Sequence, residues 1–258
     1  MYFKKFNVKN HNILITGATG YLGNFICKKL TELGANLIIT STNKSKLSKL
    51  VDDLKKINSN TKGFIVDFSK KNSLHIVKKY LKKENLNELG CVHFAVYRPN
   101  QKNLKNSNLY FTDSVSVNAN SYFEILSLFD NQQIKLKKSS LIFISSIYGK
   151  KAPKFEIYRN LNMGCEPDYS FIKSGLDGLI KYYSSKYSHM NLRYNSIILG
   201  GVFNHQNKIF VSRYKKNVPM GRMAEPDDII GALIYLLSDA SSYVTGSNIN
   251  IDGGYLSR

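Results

Sequence analysis

Short apolar runs alternate with longer amphipathic stretches along this chain. Runs of strand length fall at 13–16, 36–40, 63–66, 91–95, 140–145, 192–199 and 248–251. Between them, the segments 23–33, 45–57, 73–83, 112–129, 169–188 and 227–237 repeat apolar positions at three- and four-residue spacing, which predicts helices. Gly34 closes the first helix and Pro226 stands just before the last. This order predicts an α/β fold, a Rossmann-type doubly wound parallel sheet with helices on both faces. No repeat or low-complexity linker divides the chain, so residues 1–258 are expected to form a single domain. The rhythm breaks at 150–168, where Pro153, Gly164 and Pro167 predict a long loop after the fifth strand.

Composition narrows the class. The 258 residues are 43% hydrophobic, enough for one large core and well away from disorder. No apolar run reaches the length of a membrane span, and the N-terminus lacks the apolar stretch and cleavage site of a signal peptide. Cys27, Cys91 and Cys165 are far apart and show no ligand spacing, which suits a reducing cytoplasm. The five histidines are scattered, so no metal site is expected. The formal charge of +19 raises the question of nucleic acid, but only six of the 37 basic residues are Arg. Most lysines stand in doublets on solvated helix faces, whereas base and phosphate recognition favours the Arg fork. Neither nucleic acid nor membrane is therefore expected as a partner, while the surplus charge can attract small anions.

Candidate chemistry lies at two places. At the first strand–helix junction, N-I-L-I-T-G-A-T-G-Y-L-G sets Gly17, Gly20 and Gly23 at G-x-x-G-x-x-G spacing, with Thr19, Tyr21 and Leu22 between them. Such a turn lets backbone amides approach a pyrophosphate at the positive end of a helix. The second strand ends in Ser41 and Thr42, with Lys44 and Lys46 beyond, where an NAD site usually has a carboxylate. Hydroxyls and nearby lysines suit a 2′-phosphate, so NADP is expected ahead of NAD. Asp67, followed by Phe68, is a candidate adenine contact or equally a turn residue.

The second place is Tyr-x-x-x-Lys, which occurs at Tyr169/Lys173 and again at Tyr182/Lys186. Only the first follows a strand ending in Ser145-Ser146 and opens its helix behind Glu166-Pro167-Asp168. Residues i and i+4 share a helix face, so Lys173 can sit beside the Tyr169 ring. An ammonium near a phenol favours the ionised form.

At these residues the chain resembles the short-chain dehydrogenase/reductase family, in its shorter single-domain branch. Besides the two motifs, V-N-A-N (117–120), I-S-S-I-Y-G (144–149), N-S-I-I-L-G-G-V-F (195–203), M-G-R-M-A-E-P-D-D-I-I (220–230) and Y-V-T-G-S-N-I-N-I-D-G-G-Y (243–255) are similar to family segments in the same order. The resemblance implies hydride transfer between a nicotinamide and a carbonyl or hydroxyl carbon. It makes Tyr169 the proton-exchanging group and Lys173 the ligand of the nicotinamide ribose. Ser146 would hydrogen-bond the reacting oxygen, and Asn118 would hold a relay water. Gly200, Gly201 and Val202 would close over the nicotinamide, Ala95 would line the adenosine side, and the two long helices would pair subunits into a homodimer or homotetramer.

Three departures stand out. Gly20 comes early, as in the extended branch; His93-Phe94-Ala95-Val96 replaces Asn-Asn-Ala-Gly; and Leu199 replaces a proline. The interval from Ser146 to Tyr169 is also longer than usual. It carries Lys154 and Tyr158 beyond Tyr148, which with Ser146 and Phe203 are the candidate substrate contacts, cations for phosphate and rings for stacking. The string S-S-I-Y-G…A-P-K-F-E-I-Y is similar to a subgroup associated with bacterial flagellin glycosylation and nonulosonic sugars, which implies a carbohydrate substrate: a sugar, sugar phosphate or nucleotide sugar. Two rival readings remain at this level. A dinucleotide-sensing protein without activity would explain the altered His93–Val96 segment, and an epimerase or dehydratase would use the same tyrosine and lysine.

Overall fold

The computed structural model describes residues 2–99, 107–128, 134 and 136–258. Seven strands form one sheet: β1 (Asn12–Thr16), β2 (Asn36–Ser41), β3 (Lys62–Ile65), β4 (Glu88–His93), β5 (Lys138–Ser146), β6 (Leu192–Leu199) and β7 (Asn248–Ile251). Their order is β3-β2-β1-β4-β5-β6-β7 and every pairing is parallel, as the alternation predicts. The helices are α1 (Tyr21–Glu32), α2 (Lys44–Lys55), α3 (Ser73–Glu84), α4 (Ser107–Leu126), α5 (Pro167–Lys186), α6 (Lys208–Lys215) and α7 (Ile230–Leu237).

Pleating divides the strand residues between two cores. Leu14, Leu89, Cys91, Leu141 and Phe143 pack with α4 and α5 residues such as Tyr122, Ile125, Leu176 and Ile180. Ile13, Ile15, Val92 and Ile142 face the other way, onto Ile26 and Leu30 of α1, Leu50 of α2 and Leu233 and Leu236 of α7. The strands are apolar on both faces because helices cover both. Among the described residues no helix is long and apolar enough to cross a membrane.

The boundaries correct the sequence reading in places. β4 ends at His93 rather than 95 and starts at Glu88, with Ala95 donating its amide to Thr16 in the loop beyond. α4 begins at Ser107, five residues ahead of expectation, and the expected end at 129 lies outside the described residues. α5 starts at Pro167 in its first turn, behind Glu166, so Tyr169 sits within the helix rather than opening it. α6 has no counterpart in the expected elements. The expected loop holds a short 3₁₀ turn at Phe155–Tyr158.

Candidate active site

The chain crosses in opposite directions from β1, to β2 on one side and β4 on the other, and this leaves a crevice at the carboxyl ends of the strands. A cavity of about 730 Å3 fills that crevice. Gly17, Thr19, Gly20, Leu22 and Gly23 form one end of it, and Ser41, Thr42, Asp67, Phe68 and Ala95 line the adjoining wall. Ser145, Ser146, Tyr148, Tyr158, Tyr169, Lys173 and the run Leu199–Val202 surround the other end.

The three glycines do different work. Gly17 has φ +66°, and a β-carbon there would lie 2.8 Å from the Ala95 nitrogen. A β-carbon on Gly23 would strike the Gly17 carbonyl. These two are needed by the fold. Gly20 is not: its φ is −72°, and an added β-carbon would meet only the Gly17 carbonyl oxygen, at 3.3 Å, and otherwise stand in open space. Gly20 thus keeps room for a ligand at the N-terminus of α1, where unpaired amides and the helix dipole attract anions.

At the end of β2, Thr19 Oγ1 and Ser41 Oγ lie 2.6 Å apart, and Ser41 Oγ also accepts the Asn43 amide. Asp67 accepts the Ser69 amide and hydroxyl at 2.9 and 2.7 Å, a turn-forming role that coexists with its position on the cavity wall.

Lys173 is 4% exposed. Its Nζ donates to the Tyr122 hydroxyl at 2.9 Å and the Ile144 carbonyl at 2.7 Å, and stands 5.7 Å from the centre of the Tyr169 ring. Two of the three ammonium protons are thereby used, leaving one for the cavity. Burial lowers the Lys173 pKa below its ordinary value, Tyr169 opposes that shift, and the positive charge of Arg98 adds to it. Ser146 Oγ accepts the Tyr148 amide at 3.2 Å, and Ser145 Oγ donates to the Lys173 carbonyl at 3.4 Å. The Tyr148 and Tyr158 hydroxyls are 2.8 Å apart, and burial raises both pKa values, that of Tyr158 to about 12.

Asn118 lines a second cavity, together with Tyr169 and Lys173, rather than the first. Its Oδ1 accepts the Tyr97 amide at 2.9 Å, and its Nδ2 donates to the carbonyls of Tyr97 and Ser114 at 2.9 and 2.8 Å. Its side chain clamps the loop after β4. The second cavity is about 610 Å3 and shares Tyr97, Arg98, Tyr148, Tyr158, Tyr169 and Lys173 with the first. Three other candidates lie off both walls. Tyr21 donates from its hydroxyl to the Phe203 carbonyl at 2.8 Å, and the Phe203 ring packs edge-on against His205. Lys154 turns away to donate to Asn217 Oδ1 at 2.7 Å.

Several lining residues went unread in the sequence. Phe210 and Tyr214 arrive on α6, where the Tyr214 hydroxyl accepts the Gly201 amide. The Asn207 cap and the i,i+4 aromatic pair were the available signal. Arg98, Ser121 and Asp168 had none. Asp168 is 5% exposed and accepts the Ser114 hydroxyl, while its other oxygen has no hydrogen-bond partner among the described residues.

Known proteins bear on this geometry. The profile of a family described as enoyl-(acyl carrier protein) reductase matches residues 17–256. The chain is 28% identical to post-translational flagellin modification protein A of Campylobacter coli, over 96% of this chain and 99% of that protein. It is 26% identical to the 3-oxoacyl-[acyl-carrier-protein] reductase FabG of Buchnera aphidicola, over 96% and 98%. It superposes with a TM-score of 0.78 on a short-chain dehydrogenase of Leptospira borgpetersenii solved with bound NAD+, at 25% identity over 98% of this chain and 95% of that one. With the matched profile spanning almost its whole length, the chain belongs to the short-chain dehydrogenase/reductase family and is an NAD(P)-dependent oxidoreductase.

Proposed function

We propose that this protein moves a hydride between NADP(H) and a hydroxyl- or carbonyl-bearing carbon of a carbohydrate: a sugar, sugar phosphate or nucleotide sugar of a bacterial glycan pathway. The supporting observation is the convergence of Tyr169 and Lys173 on the seam between the two cavities. One cavity carries the glycine turn that suits a dinucleotide, and the other is left for substrate. Bound nicotinamide supplies or accepts the hydride. The Tyr169 phenol gives its proton to the substrate oxygen in reduction and takes it back in oxidation. Ser146 Oγ accepts from Tyr148, so its own proton is free for the same oxygen. The third Lys173 proton serves the ribose hydroxyls. At the far end, the space above Gly20 fits a pyrophosphate.

NADP over NAD rests on the end of β2. Thr42, Lys44 and Lys46 are exposed at the positive pole of α2, and the first acids of that helix are Asp52 and Asp53, at its far end. A polyhydroxylated substrate is supported by Tyr148 and Tyr158. Their raised pKa values keep both hydroxyls protonated, able to donate and accept. The flagellin modification relative agrees with such a substrate, and the acyl-carrier relative names the rival, an acyl thioester. A cytoplasmic setting and homo-oligomers packed through α4 and α5 complete the reading; Phe123 and Phe171 on these helices are 51% and 59% exposed.

The test is a titration with NADPH and NADH, followed by turnover on keto-sugars, sugar phosphates, nucleotide sugars and an acyl thioester. NADPH is expected to bind more tightly, and a carbohydrate is expected to turn over. Tyr169→Phe is expected to retain cofactor binding and lose at least about a hundredfold in kcat. A folded protein that binds neither cofactor would sink the oxidoreductase reading. Turnover of the thioester alone would replace the carbohydrate.

A further inference from the structure

Arg98 occupies a position that the hydride-transfer chemistry does not use. It is exposed, and it lines both cavities on the wall they share with Tyr169 and Lys173. Its backbone is held from one residue away, because Asn118 grips both the amide and the carbonyl of Tyr97. The Arg98 backbone is thus tied to α4 through its neighbour Tyr97.

No ion pair holds the Arg98 guanidinium: among the described residues, no carboxylate lies within ion-pair distance of it. Two acids line the second cavity with Arg98: Glu166, exposed just before α5, and Asp168, buried under the Ser114 hydroxyl in its first turn. Arg98 acts instead on another cation, adding to the cost of charge on Lys173. Two positive groups therefore line the seam beside Tyr169. An anion in that space is attracted by both. The phosphates of a dinucleotide would sit at the other end of the groove, over Gly20, and a neutral polyol would leave the guanidinium unmatched.

We propose that Arg98 anchors an acidic group of the substrate, a carboxylate or a phosphate monoester, close to the carbon that exchanges hydride at Tyr169. This deepens the oxidoreductase reading and rests on it. The substrate is then an acidic hydroxy or keto compound rather than a neutral sugar. The guanidinium fork matches two oxygens of either group at once, and an ammonium cannot do so.

The experiment uses the complex with NADPH and follows nicotinamide fluorescence as tartrate, threitol or inorganic phosphate is added. Tartrate and threitol share a four-carbon diol, so only the acid groups differ. Saturable binding of tartrate or phosphate is expected, with threitol at least about tenfold weaker. Response to tartrate alone assigns a carboxylate, and to phosphate alone a phosphate ester. Arg98→Gln is expected to weaken acid binding about tenfold or more, a larger factor than any change in NADPH affinity; Arg98→Lys should fall between. Equal binding of threitol and tartrate, no binding of either acid, or acid affinity unchanged in Arg98→Gln would overturn the proposal. Each of these results with normal NADPH binding leaves the oxidoreductase reading intact, whereas loss of NADPH binding in the native protein strikes that reading instead.

Discussion

At the scale of single residues, His93 shows how one departure from the family pattern is accommodated. It is 2% exposed, with Nδ1 2.8 Å from Thr16 Oγ1 and Nε2 3.3 Å from Ser121 Oγ. Ser121 donates to the Asn118 carbonyl at 2.8 Å, so its oxygen is left to accept from His93, which puts the imidazole proton on Nε2 and makes Nδ1 the acceptor for Thr16. The ring ties the glycine-turn strand to α4. Burial, reinforced by the charge of Lys173, pulls its pKa from 6.5 down to about 3. The unfolded chain therefore takes up a proton that the folded chain refuses. This contribution to stability is complete above about pH 6.5 and is lost as pH falls from there toward 3. The slope is about 1.4 kcal/mol per pH unit. Urea unfolding at pH 7.5 and 5 is expected to show His93→Asn losing about 2 kcal/mol less than the native chain between the two pH values. Identical pH dependence would mean that the imidazole is not held neutral. None of this was legible in the sequence, where His93 was only a mismatch. Tyr169 and Lys173 were legible because helix geometry alone brings i and i+4 together. Lys154, which donates to Asn217, was not legible in this way: its place in a loop beside the site says nothing about which way it faces.

At the scale of elements, the turn after β5 explains why this part of the site was readable. Residues 145–149 clasp α5: Ser145 donates to the Lys173 carbonyl, and Ser174 donates to the Gly149 carbonyl at 2.9 Å. Gly149 packs so closely that a β-carbon would lie 2.7 Å from the Lys173 carbonyl carbon and 2.9 Å from its Cβ. The glycine is thus set by contact rather than by φ, and its effect runs straight to the lysine. Gly149→Ala is expected to push α5 away, costing about 1–3 kcal/mol in stability. It should also lower kcat by at least about tenfold, with NADPH affinity less affected. Urea unfolding and steady-state kinetics test this, and an alanine variant with native kcat would show that α5 does not need this contact. A serine strand-end followed by Y-G thus carried its meaning in the sequence. The helix α6 did not. It has eight residues, with charge at Lys208, Arg213 and Lys215, and its apolar pair Phe210 and Tyr214 spans barely one turn. So short a segment is fixed by packing against Gly201 and the 155–158 turn rather than by its own periodicity.

For the whole molecule, the alternation of seven apolar runs with helices was enough to fix the sheet, because parallel strands buried on both faces leave few other topologies. Net charge has a different consequence at this scale. A chain at +19 repels its own copies, and the repulsion reaches about 10 Å at 0.1 M salt. The expected contact through α4 and α5 is apolar in character: Phe123 and Phe171 are exposed there, and the Phe111 and Phe171 rings lie 5.8 Å apart. Salt weakens charge repulsion and leaves the burial of aromatic surface intact. Association through these helices should therefore strengthen as salt rises, the reverse of an interface held by ion pairs. Light scattering at micromolar concentration is expected to give a dimer or tetramer mass whose dissociation on dilution is greater at 0.05 M than at 0.5 M sodium chloride. Phe171→Lys adds charge and removes a ring at the same point, and is expected to give the monomer mass at low salt. A monomer at both salt concentrations would dismiss the interface, and dissociation at high salt would assign it to ion pairs instead.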